Sequence, residues 1–203
     1  MEKYAAILRH ILSSLYQNFG AALLVSALAM VSFLFFEREG FKNTIEMIKT
    51  RFCTDRRFRV IWLLVFYVAM MLFRTLFCRT IWLNPLSEVL GIWGLYDKEG
   101  KLYTENIENF LLFAPYTGLL FAAFPERMLK KNALLHTVWC GFLIGFLSST
   151  AIELTQLFLK LGTFQVSDIF FNTVGGLFGG FVYWFVTRRK YEEASRNTDA
   201  ENG

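Results

Sequence analysis

The chain has 203 residues, of which 55% are hydrophobic, 18% aromatic and 19% charged, and its formal net charge is +4. Soluble domains usually carry about 25% charged residues. This composition argues against a soluble domain and indicates an integral membrane protein with a single domain. The small basic excess is explained by the charge bias of membrane loops, so no nucleic-acid partner is expected.

Segment 1–14 has apolar residues at helical spacing, which predicts a short amphipathic helix lying in the headgroup layer. The polar, aperiodic tail 188–203 is predicted to be disordered. Apolar runs of about 18 residues or more predict transmembrane helices at 15–36, 60–78, 107–124, 137–159 and 169–187. The expected fold class is all-α: an integral membrane bundle of about five transmembrane helices, with a basic loop after the first.

The distribution of Lys and Arg predicts the orientation of the chain. Fourteen of these residues lie in 37–59, in 125–136 and after residue 187, whereas the connections on the other side hold six. Because cytoplasmic loops carry the positive excess, we expect a multi-pass protein of the bacterial cytoplasmic membrane with its N-terminus outside. The basic loop and the C-terminus would then be cytoplasmic.

Polar residues interrupt the predicted spans near their ends. The candidates for ligand binding are Arg74, Asn109, Glu153, Gln156, Asp168 and Asn172. Because successive spans alternate in direction, all of them fall in one leaflet, which is the outer one in the expected orientation. At about 100° per residue, the fourth and fifth spans each present their two polar residues as one stripe. The short connector between these spans predicts an antiparallel hairpin that brings both stripes together.

An intramembrane carboxylate is costly unless it is paired or hydrated, so it indicates a functional site. Glu153 and Asp168 are therefore the candidates for acid–base catalysis, and Arg74 is the expected counterion of Glu153. Structural roles remain open: Asp168 suits an N-cap of the fifth span, Asn172 an interhelical hydrogen bond, and Arg74 a snorkelling side chain.

Two further patterns concern helix packing. Small residues four apart let helix backbones approach closely, and the fifth span has Gly175, Gly176, Gly179 and Gly180. We expect these glycines to bring the fourth span against the fifth. Pro115 and Gly118 lie in the middle of the third span, which predicts a kinked or broken helix.

No metal and no cofactor are expected. The three cysteines, Cys53, Cys78 and Cys140, have no paired spacing, and the two histidines are far apart in sequence. No strong catalytic signature of the nucleophilic or phosphate-binding kind is present.

Three segments in order, NFLLFAPYTGLL (109–120), IELTQLFL (152–159) and FQVSDIFFNTVGGLFGG (164–180), resemble VanZ-like membrane proteins. The resemblance implies a VanZ-like transmembrane domain over 15–187 in a protein of the bacterial cell envelope. It also implies a link to low-level resistance to glycopeptide antibiotics such as teicoplanin. The residues that match the pattern include Asn109, Glu153, Gln156, Asp168 and Asn172.

Three functions are consistent with these features, and a purely structural scaffold, which the glycine packing motif would suit, is a fourth option. The first is binding or modification of a lipid-linked envelope precursor, or of an envelope protein, at the polar site among membrane lipids. The second is an intramembrane enzyme that uses Glu153 and Asp168 on a lipid substrate. The third is a small transporter, which the polar stripes and a broken third span would suit.

Overall fold

The computed structural model describes residues 2–37, 41–97, 99–128 and 134–201. The ends of the predicted N-terminal and C-terminal segments and part of the basic loop therefore lie outside the described residues. Within these ranges the chain forms helices α1 (Glu2–Tyr16), α2 (Phe19–Glu37), α3 (Phe41–Thr54), α4 (Arg56–Leu72), α5 (Glu105–Ala123), α6 (Pro125–Met128), α7 (Leu134–Leu159) and α8 (Val166–Glu201), with a π-helical turn at Phe73–Phe77 that extends α4. The prediction of an all-α fold is confirmed for this part of the chain.

Four helical segments of the described chain are long and apolar enough to cross a membrane: Ile7–Phe33, Arg56–Phe77, Leu134–Leu159 and Val166–Arg188. The first of these joins α1 to α2. The predicted count of five spans is not confirmed, because α5, which corresponds to the third predicted span, is not among the four. Its first turn carries Glu105 and Glu108, and its apolar residues Leu112, Phe113 and Phe121 are buried within the bundle.

Glycines set the packing of the central helices α5, α7 and α8. A Cβ atom on Gly175 would lie 2.4 Å from the carbonyl oxygen of Phe110 in α5, and one on Gly176 would lie 2.7 Å from the carbonyl oxygen of Gly141 in α7. The next two glycines along α8 repeat this division, since Gly179 faces α5 and Gly180 faces α7. Helix α8 is thus held between two helices at backbone contact distance, whereas the sequence predicted such an approach only to α7.

Helix α5 runs unbroken through its proline. Because Pro115 has no N–H, the carbonyl of Leu111 loses its usual donor four residues ahead. The hydroxyl of Tyr67 in α4 replaces it and donates to the carbonyl oxygens of Leu111, at 3.3 Å, and Leu112, at 3.0 Å. The predicted break is therefore absent, and the argument that a broken third span favours a transporter no longer applies.

The last helix continues to Glu201, through most of the segment that was predicted to be disordered. That prediction relied on polarity and the lack of an apolar period. Lys, Arg, Glu and Ala are nevertheless good helix formers. A helix that is already nucleated can extend through such residues at little cost.

Candidate functional site

Polar side chains from four segments meet at one end of the bundle. Gln156 of α7 donates from Nε2 to the carbonyl oxygen of Thr75 in the π-helical turn, at 2.7 Å. Asn172 of α8 donates from Nδ2 to Oγ of Ser149 in α7, at 2.8 Å. The start of α5 joins them through Asn109, which lies within hydrogen-bonding reach of Asp168. We call the six sequence candidates together the polar cluster, and they are indeed gathered at this end.

Arg74 pairs with a different carboxylate from the one expected. Its Nη2 lies 2.5 Å from Oε2 of Glu108 at the start of α5, and the guanidinium also donates to Oγ of Ser14 in α1. Oε1 of Glu108 accepts a 2.6 Å hydrogen bond from the hydroxyl of Thr104. The predicted Arg74–Glu153 pair is therefore wrong. Both carboxylates lie at the same end of the bundle, and the π-helical turn directs Arg74 toward Glu108, whereas Glu153 accepts from the N–H of Gln165.

Glu153 instead stabilises the connection between α7 and α8. Its side chain is 2% exposed, and Oε2 accepts a 2.9 Å hydrogen bond from the backbone N–H of Gln165. Gln165 precedes α8, so this bond fixes where the helix begins. The positive charge of Arg79 and the negative charge of Asp168 also act on the Glu153 carboxylate.

Asp168 and Asn172 lie one turn apart on α8 and each keeps a buried oxygen without a hydrogen-bond partner among the described residues, Oδ1 in both cases. Asp168 is the third residue of α8, which starts at Val166, so it is not the N-cap that the sequence allowed. A carboxylate in the first turn is still favoured by the helix dipole. Both oxygens are hydrogen-bond acceptors. A group that binds to them would therefore be a hydrogen-bond donor or a cation.

Sequence reasoning missed three residues beside this cluster: Arg79, Tyr103 and Glu105. The hydroxyl of Tyr103 donates to Oε2 of Glu105, at 2.9 Å. Burial, followed by the nearby Glu105 carboxylate, raises the pKa of Tyr103 above its usual value, so the phenol remains a donor. In the sequence, Arg79 is recognisable as the first basic residue after the second predicted span. That position by itself bears only on the orientation of the chain.

Arg79 is a cation available to a ligand. Within the described ranges, no Asp or Glu oxygen lies within 4.0 Å of its guanidinium. Its Nη1 lies 3.5 Å from the ideal Cβ position of Gly162, a residue at φ +103° in the α7–α8 connection. A side chain at position 162 would therefore be strained by its backbone and would lie in van der Waals contact with Arg79.

A cavity of about 650 Å³ lies next to these groups. Its walls come from α1, from the end of α4 and from residues 97–105, and its charged lining residues are Arg74, Arg79, Asp97, Lys101, Glu105 and Glu108, with His10 on α1. Arg74 and Glu108 already pair with each other, so Arg79, Lys101, Asp97 and Glu105 are the remaining charges on the cavity walls. Both acidic side chains accept hydrogen bonds from the protein, Asp97 from the N–H groups of Glu99 and Lys101 and Glu105 from the hydroxyl of Tyr103. In the described parts of the chain, no three His, Cys, Asp or Glu side chains converge as a metal site.

The fold and the cluster define a class of protein: a multi-helical protein with several membrane-length helices and a buried polar cluster at one end. The VanZ/LLP1 family model matches residues 5–187. The chain therefore belongs to the VanZ/LLP1 family, and the resemblance drawn from three sequence segments is confirmed. Searches of curated proteins and of solved structures returned no match.

Proposed function

We propose that this VanZ family member is a multi-pass protein of the bacterial cytoplasmic membrane that binds the anionic head of a lipid or lipid-linked envelope component. The observation that carries this proposal is the cavity beside the polar cluster, with Arg79 on its wall and, in the described part of the chain, no carboxylate oxygen within 4.0 Å of that guanidinium. A guanidinium presents a planar set of donors that suits phosphate oxygens. Lys101 adds a second positive charge to the same cavity.

The orientation belongs to the same proposal. With the N-terminus outside and the C-terminus cytoplasmic, the cavity faces the outer leaflet, where lipid-linked envelope precursors are exposed. Binding there would change what the cell presents to glycopeptides such as teicoplanin. The family membership supports this link.

The test compares expression-matched strains that carry the native protein, Arg79→Gln or Arg57→Gln. Arg57 is a matched control because it is an exposed arginine whose partner, Glu126, lies outside the cavity. We expect the native protein and Arg57→Gln to co-purify with the same anionic lipid, detected by mass spectrometry, and to give equal teicoplanin susceptibility. Arg79→Gln should lose most of the lipid and shift susceptibility. Equal lipid content and susceptibility in all three strains would contradict the proposal.

A second candidate function is acid–base modification of the bound lipid. It is favoured by the mutual influence of the Glu153 and Asp168 carboxylates and by the unpartnered Oδ1 of Asp168. Purified protein would be incubated with labelled envelope lipids over a range of pH. A new product that disappears with both Asp168→Asn and Glu153→Gln supports catalysis, and the absence of any product at every pH removes it.

A further inference from the structure

The connection between the π-helical turn and α5 contains a long apolar surface that the proposed function does not use. Residues 81–96, here called the apolar loop, include one charged residue, Glu88. Its large side chains are strongly exposed, with Leu83 at 89%, Ile81 and Leu90 at 73% and Leu86 at 57%. Exposed apolar patches of this kind mark contact with a partner or a membrane.

The apolar loop is attached to the ends of the membrane-length helices. The N–H of Trp82 donates to the carbonyl of Lys160 at 2.7 Å, which ties the start of the loop to the α7–α8 connection. The N–H groups of Phe164 and Val166 donate in return to carbonyls of the loop, each at 2.8 Å. The loop is thereby held beside the helix ends instead of extending into water.

Trp93 shows how far the loop descends along α8. Its ring lies 5.3 Å from the ring of Phe170 and 6.0 Å from that of Phe171, measured between centroids. Both phenylalanines lie within the membrane-length segment Val166–Arg188. At 1.5 Å per residue they are about 6–8 Å along α8 from its start, so the Trp93 ring lies alongside the first turns of this membrane-length helix.

Non-helical backbone tolerates an apolar environment only if its polar groups are satisfied. The apolar loop meets this condition in part: among the described residues eight of its carbonyls accept hydrogen bonds, whereas its N–H donors are those of Trp82, Ser87 and Gly91. Carbonyls along it accept hydrogen bonds from Phe164, Val166, the Trp93 indole, the Asn106 side chain and Tyr103. The residues that accept from these groups are Pro85, Val89, Leu90, Ile92, Gly94 and Leu95. The remaining backbone groups need water, so the loop backbone belongs at the hydrated interface and only its side chains can enter the acyl-chain region.

The indole N–H of Trp93 is part of this pattern. It donates to the carbonyl of Leu90 at 3.0 Å. Interfacial tryptophans ordinarily keep this donor toward the wet headgroup region. With the donor satisfied inside the loop, the ring can be surrounded by acyl chains at little cost.

We propose that the apolar loop lies at the surface of the leaflet that contains the polar cluster, with its exposed apolar side chains inserted into the acyl-chain region of the bilayer, which is their partner. Lipid in contact with the loop then lies beside the α7–α8 connection that Glu153 stabilises. The inference does not depend on which ligand the cavity binds. Failure of lipid co-purification would leave it untouched.

The experiment measures the depth of single tryptophans in the full chain. Trp93 is retained while Trp62, Trp82, Trp139 and Trp184 become Phe, and the protein is reconstituted in phosphatidylcholine–phosphatidylglycerol vesicles. One set of vesicles contains acyl-brominated phosphatidylcholine, and acrylamide is the aqueous quencher. Two matched chains retain Trp139 alone, an exposed position on the membrane-length helix α7, or carry Glu99→Trp alone, an exposed position in the turn after the loop.

We expect Trp93 to be quenched by brominated lipid about as strongly as Trp139 and only weakly by acrylamide, and Glu99→Trp to show the reverse. Quenching of Trp93 that follows Glu99→Trp would overturn the proposal. If the single-tryptophan chain does not fold, Leu90→Cys with the native cysteines replaced by Ser carries a bimane label instead. A blue-shifted label emission supports insertion, and an emission equal to that of labelled Glu99→Cys overturns it.

Discussion

Several polar side chains of the bundle form hydrogen bonds with backbone groups instead of with one another. Gln156 donates to a carbonyl in the π-helical turn, Glu153 accepts from an N–H before α8, and Tyr67 donates to carbonyls beside Pro115. Each side chain lies where helix geometry leaves a main-chain group without its regular partner. In an apolar environment such groups cost several kcal/mol if left alone.

Tyr67→Phe should destabilise the protein by about 1 kcal/mol, because the Leu111 carbonyl then loses the hydroxyl that replaces the missing N–H of Pro115. Thermal unfolding in detergent measures the effect, with Tyr96→Phe as the control at an exposed position. Pro115→Ala restores a backbone N–H four residues after Leu111. In the Pro115→Ala background, Tyr67→Phe should lower the free energy of unfolding by clearly less. An equal loss of stability in both backgrounds would contradict the inference that the Tyr67 hydroxyl replaces the missing N–H of Pro115.

Arg74→Gln should cost about 3–5 kcal/mol, because it leaves the buried Glu108 carboxylate without its cation. Adding Glu108→Gln should recover part of that loss, since no unpaired charge remains. The comparison uses unfolding of the two single variants and the double variant. Simple additivity of the two losses would mean that the ion pair does not couple the π-helical turn to α5.

At the element scale, α8 is the central helix, because it contacts both α5 and α7 at backbone distance. Gly175 and Gly179 face α5, whereas Gly176 and Gly180 face α7. Gly175 contacts Phe110 and Gly179 contacts Ala114, so α5 and α8 run in the same direction. Between helices in a lipid environment, close packing replaces the hydrophobic effect as the source of stability. Small residues therefore matter more here than large apolar ones.

Gly175→Ala should separate α5 from α8 and lower the unfolding temperature, and Gly176→Ala should do the same between α7 and α8. Gly20→Ala in α2 is the matched control, because a Cβ there meets nothing within 4 Å. It should be neutral, or stabilising by up to about 1 kcal/mol through helix propensity. If all three variants have the same unfolding temperature, the close backbone contacts along α8 do not contribute measurably to stability.

At the scale of the whole molecule, the open question is which side of the membrane each connection occupies. We expect α5 to cross the membrane alongside α8, which would put its two ends on opposite sides. Single cysteines introduced as Glu99→Cys and Glu126→Cys, in a chain whose native cysteines are Ser, would be labelled with an impermeant maleimide on intact cells. Labelling of Glu99→Cys alone is the expected result. Labelling of both from the same side would show that α5 does not cross.

The sequence allowed the all-α class, the family and the polar cluster to be predicted, but not its internal pairing. Alternation of spans is enough to place Arg74, Glu108 and Glu153 at one end. It does not determine the rotation of each helix about its axis, which selects Glu108 as the partner of Arg74. Arg79 and Tyr103 were missed for a related reason, because loop residues have no periodicity from which their direction could be calculated.

Composition and apolar run length by themselves determined that this is a helical protein with membrane-length segments, because both are properties of consecutive residues. The order of three short motifs determined its family. Only the tertiary structure decided which carboxylate Arg74 pairs with, that Tyr67 compensates for Pro115 and that the apolar loop lies along α8. These features join residues distant in sequence, and their energies depend on distances that no local pattern encodes.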